Sequence, residues 1–369
     1  MSLISAEQFA NCKRMLFVSP VALGDFLYLK TFLIALKNKY PHIELDIWLD
    51  DNRRNTDSWR LSRSKILQQW MAAEPAFGLT YGCTDSDSAV QDNIKQAKLR
   101  NYDLIFCHSV SKSKQYSKIA RAISSNAFIV SSLPKVKYWG LLDSLQFKHS
   151  DARFRINPNE LPSNHHITDR YANIFEKVTG LVVAKNELMP SMVIPQSMQP
   201  ITDAWIKNRF NDESRQGPLI FLNHLSTNTK KDWDIEQLFD LILRISATAL
   251  DNRFIINVTR ESFDEVSLAT EKFTANNSLQ IAVFTVEDHF FELPSLIAKS
   301  DFVITVDTAI LHFAFAAKRP LISMMRSKKP YWAPPASKQS HVLYATEGKG
   351  YVSDISVDKV YAQYLTMTN

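Results

Sequence analysis

Hydroxyl and lysine side chains are concentrated in the segment His224–Trp233, HLSTNTKKDW. Ser226 and Thr227 supply hydroxyl donors, and Lys231 supplies positive charge. The segment follows the apolar run Leu219–Leu222 and precedes a helical pattern, so free N–H groups of a helix N-terminus lie beside these side chains. Such donors together bind phosphate. The G-x-x-x-x-G-K spacing of a Walker loop is absent, and a polar loop with solvated lysines is the alternative.

A second group of polar residues, Asp307, Thr308 and His312, interrupts the apolar segment Phe302–Met324. The run Phe302–Val306 predicts a strand, and a helical pattern follows it directly. The group therefore lies at the carboxyl end of a strand, where open α/β sheets bind ligands. Thr308 and His312 are four residues apart and can share one helix face. This turn predicts a site for a phosphate-bearing ligand. The alternative is a cap formed by Asp307 and a half-buried histidine.

Two further carboxylates follow apolar runs. Asp25 comes after the predicted strand Arg14–Ser19 and directly before the helical pattern Phe26–Tyr40. A carboxylate there can take a proton from a substrate hydroxyl, or it can cap the helix by accepting backbone N–H bonds. Glu261 follows the predicted strand Phe254–Val258. It can accept the hydroxyls of a ribose or interact favourably with a helix dipole.

The sequence lacks the spacings of several other kinds of site. No G-x-S-x-G occurs, which excludes a nucleophile elbow, and no His/Cys spacing predicts a metal site. The Asp50-Asp51 pair lacks the D-x-D spacing often used to hold a metal on a sugar nucleotide. Cys12, Cys83 and Cys107 are few, odd in number and widely spaced. They predict reduced thiols in the cytosol rather than a disulfide framework.

Length and composition indicate a soluble protein of two ordinary domains. The chain has 369 residues, of which 45% are hydrophobic and 22% are charged, as is typical of a globular protein with a buried core. No apolar run reaches the roughly 18 residues expected of a membrane span. The first residues are polar and then strand-like, so we expect no signal peptide and a cytoplasmic location.

The net charge of +5 is unevenly distributed. Residues 1–185 hold 25 Lys and Arg against 17 Asp and Glu, a net charge of +8, whereas residues 186–369 hold 18 against 21, a net charge of −3. A basic half suits nucleic acid, an anionic membrane surface or a phosphorylated substrate. No nucleic-acid-binding motif accompanies it, so we expect no nucleic-acid partner. The alternative is a solvated surface. The excess lies at Arg53, Arg54, Arg60, Arg63, Lys65, Lys112, Lys114, Lys118 and Arg121.

Short apolar runs alternate with helical patterns in both halves, which predicts parallel sheets. Residues 51–101 are polar and irregular and predict helices with loops. The predicted strands are Arg14–Ser19, Ile43–Leu49, Asp103–Cys107, Ala127–Val130, Leu219–Leu222, Phe254–Val258, Ile281–Phe284, Phe302–Val306 and Leu321–Met324. The predicted helices are Phe26–Tyr40, Ser113–Ile123, His166–Thr179, Ile235–Ala249, Phe263–Thr274, Leu293–Ala298, Ile310–Ala317 and Val357–Leu365.

Three prolines, Pro190, Pro195 and Pro200, lie in the segment Asn186–Pro200. Proline at this density excludes a helix or a central strand, so the segment predicts a linker. The domains are then 1–185 and 201–350, with a C-terminal helix in 351–369. Two such halves imply an α/β protein with two Rossmann-like domains that face a cleft. A cleft between domains is a common ligand site.

These stretches, in this order, resemble glycosyltransferase family 9, the ADP-heptose:lipopolysaccharide heptosyltransferases. The resemblance runs from about Met15 to Pro335 and depends on five motifs together. They are Leu23–Phe26 with its helix, Asn101–Ile105 with Lys112-Ser113, His166–Tyr171, His224–Trp233 and Leu293–Met324.

The resemblance implies a GT-B fold and inverting transfer that needs no metal or other cofactor. It places a nucleotide-sugar donor, ADP-heptose or a related compound, in the C-terminal domain and a lipid A-core acceptor in the N-terminal domain. It makes Asp25 the base and assigns the diphosphate to Ser226, Thr227 and Lys231, and the ribose to Glu261. Asp307, Thr308 and His312 would contact the donor sugar and its phosphates, and the acceptor would meet Arg60, Arg63, Lys112 and Lys114. The enzyme would work at the cytoplasmic face of a bacterial inner membrane, as a peripheral protein.

Two residues depart from the family pattern. Ala309 replaces the glycine after Asp-Thr, and Leu311 replaces a small polar residue before the histidine. These changes can reshape the donor sugar pocket, so another activated sugar or a divergent acceptor stays open. Two further alternatives are a nucleotide-sugar-binding protein without catalysis and a GT-B transferase that uses a UDP-sugar and a non-lipid acceptor.

Overall fold

The computed structural model describes residues 2–20, 22–49, 52–109, 112–134, 136, 140, 142–157, 160–184, 187–210, 217–248, 251–328 and 330–368. Chain contacts divide the protein into two compact units, Met1–Pro190 and Ser191–Asn369. The Asp50-Asp51 pair, Asn186 and the predicted helix end at Ala249 lie outside the described residues.

The first unit is built around a six-stranded parallel sheet with the strand order β3-β2-β1-β4-β5-β6. Its inner strands are nearly all buried, as expected when helices cover both faces of a parallel sheet. The strands are β1 Arg14–Ser19, β2 Glu44–Leu49, β3 Thr80–Tyr81, β4 Leu104–Cys107, β5 Phe128–Ser132 and β6 Ala152–Phe154. The helices are α1 Ala6–Asn11, α2 Leu23–Lys39, α3 Ser58–Ala72, α4 Asp87–Lys98, α5 Ser113–Ile123, α6 Asp143–Gln146 and α7 Ile167–Thr179.

The second unit repeats this architecture, with the strand order β12-β11-β10-β7-β8-β9. Every pair of neighbouring strands in it is parallel. The strands are β7 Leu219–Asn223, β8 Arg253–Asn257, β9 Gln280–Phe284, β10 Phe302–Val306, β11 Leu321–Arg326 and β12 Ser340–Ala345. The helices are α8 Met198–Arg209, α9 Ile235–Ser246, α10 Phe263–Thr274, α11 Glu292–Lys299, α12 Ala309–Ala316 and α13 Val357–Thr368.

Each sheet has one topological switch point, where the chain reverses its direction across the sheet. In the first unit β1 lies between β2 and β4, and in the second β7 lies between β8 and β10. The loops after β1 and β4, and those after β7 and β10, therefore leave opposite faces and open a crevice at the carboxyl ends of the strands. Ligands of open α/β sheets bind in such crevices.

The apolar core of the second unit extends to the end of the chain. The α13 helix packs against α9, and the ring of Tyr364 lies 5.0 Å from that of Phe302. Trp233 is fully buried and its indole Nε1–H donates to the carbonyl of Ile355 over 2.9 Å. These contacts make the terminal helix part of the second unit's core.

Two predictions about local structure need correction. Proline was expected to exclude helix throughout 186–200, but α8 begins at Met198 and holds Pro200 in its first turn. Proline is tolerated there because the N–H it lacks has no partner in the first turn of a helix. The strands Thr80–Tyr81, Ala152–Phe154 and Ser340–Ala345 were not predicted, and the first of them has only two residues, which carry no recognisable alternation. No helix in the described residues is long and apolar enough to cross a membrane.

Candidate active site

The loop after β7 is closed on itself by hydrogen bonds between its two ends. The N–H of Trp233 donates to the carbonyl of His224, and the Nδ1 of His224 lies 2.9 Å from the carbonyl of Trp233. Because a carbonyl only accepts, Nδ1 carries the proton and Nε2 is an acceptor. That Nε2 is buried and has no hydrogen-bond partner among the described residues. Burial also lowers the pKa of His224, so the loop is closed by a neutral histidine.

Some of the predicted phosphate-binding side chains form hydrogen bonds within the loop, and others are exposed. The hydroxyl of Ser226 donates to the carbonyl of Asn228 over 2.9 Å, and the N–H of Ser226 donates to Asp232 over 2.6 Å. Thr227 is exposed, and Lys231 ends a 3₁₀ turn that begins at Thr229. The loop's own hydrogen bonds therefore use the Ser226 hydroxyl, whereas the Thr227 side chain is exposed.

Lys231 and Asp307 come together although 76 residues separate them. The Nζ of Lys231 lies 2.6 Å from the Oδ2 of Asp307, and 3.5 Å from its backbone carbonyl oxygen. Both side chains remain partly exposed, at 34% and 21%. The structure thus joins the loop after β7 to the turn after β10 at the switch point of the second sheet.

Thr308, not Asp307, caps α12. The hydroxyl of Thr308 accepts the N–H of Ile310 over 3.3 Å, so the alternative in which Asp307 is the cap is wrong. His312 is buried, and its ring lies 6.1 Å from that of Trp332. Leu311 is fully buried, so its side chain is inaccessible to a ligand in this structure.

A buried amide network that the sequence reasoning missed supports this turn. Asn223, the last residue of β7, donates through Nδ2 to the hydroxyl of Thr305 over 3.1 Å and to that of Thr308 over 3.4 Å. Its Oδ1 accepts from Asn257 over 2.9 Å. The network links the ends of β7, β8 and β10. An asparagine that ends each of two apolar strands was the available signal.

Glu261 lies in a 3₁₀ turn, Arg260–Ser262, after β8. Its own backbone N–H and the side chain of Thr259 lower the pKa of its carboxyl group, with burial opposing them. The carboxylate is ionised at neutral pH and exposed. Glu261 follows β8, and the Ser226–Lys231 loop follows β7. These two strands are neighbours in the sheet.

Asp25 is half-buried in the first turn of α2, which begins at Leu23, three residues earlier than predicted. The N-cap is Ala22, which provides no side-chain cap, so the interpretation of Asp25 as the N-cap is wrong. Burial, followed by the charge of Asp25, raises the pKa of Tyr171 well above its usual value. The charge of the Asp25 carboxylate therefore acts on the Tyr171 phenol.

His108, after β4, is a second residue that the sequence reasoning missed. The backbone N–H of His108 donates to the carbonyl of Val18 in β1, which places His108 at the switch point of the first sheet. The ring packs edge-on against Tyr171, with centroids 5.9 Å apart, and Nδ1 has no hydrogen-bond partner within the described ranges. Burial lowers the pKa of His108 to about 4. A histidine that directly follows an apolar strand was the signal in the sequence.

The predicted acceptor-binding cations fall into two groups. Arg60 and Arg63 of α3 lie over the indole of Trp59, at 4.2 and 4.8 Å from the ring centroid. Lys112 precedes α5 in a left-handed conformation, and its Nζ donates to the carbonyl of Arg53 over 3.4 Å. Lys114 is exposed in the first turn of α5.

In the described ranges, no group of three His, Cys, Asp or Glu residues is arranged to hold a metal ion. Among the described residues, the side chains at the second unit's switch point include hydroxyls, amides, imidazoles, ammonium groups and carboxylates. Such a set can bind the phosphates and hydroxyls of a nucleotide-sugar.

Comparisons with known proteins give a consistent result. The sequence model of glycosyltransferase family 9 (heptosyltransferase) matches residues 122–355, more than half of the chain. No curated protein sequence matches. Solved structures of the same fold include a family 9 glycosyl transferase from Veillonella parvula, with a TM-score of 0.75, 16% identity and coverage of 97% of this chain and 98% of that one.

Two further solved structures come from E. coli. ADP-heptose lps heptosyltransferase II has a TM-score of 0.70 and 15% identity over 96% of this chain and 98% of its own. Heptosyltransferase WaaC with ADP-2-deoxy-2-fluoro heptose has a TM-score of 0.63 and 15% identity, and the match covers 96% of this chain and 100% of that one. Identities this low show the fold, and the predicted α/β architecture of GT-B type is confirmed.

Proposed function

Because the chain belongs to glycosyltransferase family 9, we propose that it moves a heptose or a related sugar from a nucleotide-sugar donor to a lipopolysaccharide or lipooligosaccharide core acceptor. The transfer inverts the anomeric centre and requires no metal. The observation that carries the proposal is the ion pair between Lys231 and Asp307, which brings a cationic loop to the carboxyl end of β10.

The second unit binds the donor. Ser226, Thr227 and Lys231 hold the diphosphate, since hydroxyl and ammonium donors beside a helix N-terminus suit an anion. The carboxylate of Glu261 accepts hydrogen bonds from the ribose hydroxyls. Asp307, Thr308 and His312 contact the sugar and its phosphates. Support for an adenosine diphosphate comes from WaaC structures of this fold with ADP and with an ADP-heptose analogue.

The reaction is a single displacement. Asp25 takes the proton of the acceptor hydroxyl, and the oxygen forms a bond to the anomeric carbon of the donor sugar. The bond from that carbon to the diphosphate oxygen breaks, and the nucleoside diphosphate leaves with the electron pair. Lys231 stabilises the negative charge that develops on the leaving group, where a preorganised donor has its largest effect.

The first unit binds the acceptor, with Arg60, Arg63, Lys112 and Lys114 facing its phosphates and acidic sugars. Arginine suits this role because its planar guanidinium binds phosphate through two parallel hydrogen bonds. The acceptor is a lipid, so the enzyme works as a peripheral protein at the cytoplasmic face of the inner membrane. Nucleic acid is not a partner.

The proposal is tested by measuring donor binding and transfer with the purified full chain. ADP and ADP-heptose are compared with UDP-sugars by thermal shift, and a ligand at about 100 times its dissociation constant should add about 2.7 kcal/mol of stability. We expect stabilisation by ADP compounds and transfer of heptose to a core acceptor. Binding without any product would indicate a catalytically inactive protein, and stabilisation by UDP-sugars alone would indicate a different donor. If no nucleotide binds, the proposal is wrong.

A further inference from the structure

The ring of Tyr351 brings two cations of the second unit together. The ammonium nitrogen of Lys230 lies 5.7 Å from the ring centroid, and the guanidinium carbon of Arg326 lies 5.5 Å from it. Lys230 belongs to the 3₁₀ turn after β7, and Arg326 is the last residue of β11. The face of an aromatic ring attracts a cation. One ring therefore gathers two positive charges from different parts of the chain.

Neither of these cations forms an ion pair with another of the described residues. Four carboxylates of the loops after β7, β10 and β12 already have partners. They are Asp232 with the N–H of Ser226, Asp307 with Lys231, Glu347 with Lys359, and Asp354 with the N–H of Tyr351. Two like charges beside one ring repel each other, and an anion bound to both relieves that repulsion.

The segment that leads from β11 to Tyr351 is basic, although the C-terminal half as a whole is acidic. Residues 326–351 hold five Lys and Arg and one Glu, a net charge of +4. Residues 186–369 hold 18 Lys and Arg and 21 Asp and Glu, a net charge of −3. Positive charge concentrated in one segment raises the local concentration of anions.

The strand order places the two cations on either side of the turn after β10. In the sheet β10 lies between β7 and β11; the turn of Lys230 follows β7, and Arg326 ends β11. The loop after β11 also reaches the proposed sugar site, since the ring of Trp332 lies 6.1 Å from that of His312. Lys230 and Arg326 therefore flank the part of the crevice that the donor sugar is proposed to occupy.

The backbone of the loop after β12 holds the Arg326 side chain in place. The Nε–H of Arg326 donates to the carbonyl of Gly350 over 2.8 Å, and the φ of Gly350 is 66°, in the left-handed region that favours glycine. The 3₁₀ turn that carries Lys230 contacts the turn Val352–Asp354. No hydrogen bond within the described residues uses the Nη groups of Arg326. A guanidinium held in this way can bind a carboxylate or a phosphate through parallel hydrogen bonds.

We propose that Lys230 and Arg326 bind the carboxylate or phosphate group of an acidic sugar. Lys230 is exposed and Arg326 is half-buried, so both are accessible to a ligand. The inference deepens the proposed function and rests on it in one respect, that a sugar occupies the crevice beside the turn after β10. The anionic group belongs either to the transferred sugar of the donor or to the sugar that accepts it.

Binding of simple acidic sugars to the full chain tests the proposal. Glucuronate and glucose 6-phosphate are compared with glucose by saturation-transfer NMR titration, each with and without saturating ADP. The ADP fills the proposed diphosphate site, so the sugars report the rest of the crevice. In the presence of ADP we expect both acidic sugars to bind about tenfold more tightly than glucose, with an affinity that falls at high salt. Acidic sugars that bind no more tightly than glucose would overturn the proposal.

Single substitutions locate the site. Lys230→Met and Arg326→Gln should each weaken the binding of glucuronate and glucose 6-phosphate about tenfold, because each removes a charged hydrogen-bond donor. The affinity for glucose should stay the same. The matched control is Lys272→Met, because Lys272 is exposed on α10 in the same unit. An equal loss in the control would show a general effect of charge and would contradict the proposal. Thermal melting reports the fold of each variant, and the exposed Lys230 gives a result even where Arg326→Gln unfolds.

Two arms identify the sugar that carries the anionic group. The donor arm compares ADP-glucose with ADP-glucuronic acid, and the acceptor arm compares a phosphorylated core oligosaccharide with its dephosphorylated form. A loss of binding in Arg326→Gln that is confined to ADP-glucuronic acid assigns the group to the donor. A rise in KM that is confined to the phosphorylated oligosaccharide assigns it to the acceptor. Wild-type behaviour of Arg326→Gln in both arms would overturn the site.

The failure of this inference differs from the failure of the proposed function. A protein that binds ADP but has no preference for acidic sugars would overturn only the anion site. A protein that prefers acidic sugars and binds no nucleotide would keep the anion site and overturn the proposed function.

Discussion

The ammonium group of Lys231 lies 2.6 Å from the carboxylate of Asp307, so the cation of the loop after β7 already has an anionic partner. A diphosphate that binds this loop must share or replace that carboxylate. The ion pair holds Lys231 at the switch point, although its exposure limits the stability that it contributes. Lys231 is thereby positioned for an anion before the ligand arrives.

Replacing Lys231 by methionine should weaken ADP binding by about 10- to 100-fold. A charged hydrogen bond contributes about 1.5–3 kcal/mol, and each 1.4 kcal/mol is a factor of ten. Isothermal titration with ADP measures the change. Lys230→Met is the matched control, because the Lys230 ammonium lies over the ring of Tyr351 rather than beside Asp307. Equal losses in both variants would show that only the net charge of the loop matters.

Replacing Asp25 by asparagine should lower the turnover number by about 10²- to 10⁴-fold, the usual contribution of a general base. The amide cannot accept the proton of the acceptor hydroxyl, yet it is nearly the same size as the carboxylate. ADP affinity should stay unchanged, because the donor residues belong to the other unit. Turnover close to that of the wild type would refute the assignment of Asp25 as the base.

Replacing Asn223 by alanine should lower the free energy of unfolding by about 1–3 kcal/mol. The change removes three hydrogen bonds of a buried network and leaves the amide of Asn257 and the hydroxyl of Thr305 without this partner. Urea unfolding of the variant measures the loss, with Asn208→Ala as an exposed control in the same unit. A loss no larger than that of the control would mean that the network is energetically neutral.

Acidification should destabilise the protein partly through His108. The pKa of His108 is lowered to about 4 by burial, from a usual value of 6.5, so in the range between them the unfolded chain binds a proton that the folded chain does not. Stability is therefore lost as the pH falls from about 6.5 toward 4, by an amount on the order of 2 kcal/mol at pH 5.

Urea unfolding at pH 7.5 and pH 5 measures this loss in the wild type and in His108→Phe. The phenyl ring keeps the packing against Tyr171 and Phe154 but does not titrate. The variant should lose less stability between the two pH values than the wild type. An identical pH dependence would show that other groups, such as His166, whose pKa is also lowered to about 4, account for it.

The ion pair between Lys30 and Glu74 gives a prediction about the core of the first unit. Both side chains are about 1% exposed, and the carboxylate also accepts from the indole N–H of Trp70 over 3.1 Å. Lys30→Met leaves a buried carboxylate without its cation and should cost about 3–5 kcal/mol. The double variant K30M/E74Q removes the charge and keeps an acceptor for Trp70, so thermal unfolding should show a smaller loss. A double variant less stable than K30M would contradict this account.

The sequence by itself determined most of the strands. The limits predicted for β1 and β10 agree with the structure residue for residue, and the family assignment is confirmed. Strands buried on both faces form short continuous apolar runs, and the polar residues that follow them mark the loops. The same local signals located the Ser226–Lys231 loop and the turn at Asp307, although not their mutual contact.

Tertiary structure alone decided which of these loops meet. Residues as far apart as Lys231 and Asp307 become neighbours only because β10 pairs with β7, and no local pattern specifies that order. The same holds for His108, whose place beside β1 follows from the pairing of β1 with β4. Strand order is set by burial summed over the whole sheet, whereas strand formation is largely set by the few residues of each run. The exposure of Trp59 likewise depends on which face of α3 the rest of the unit covers.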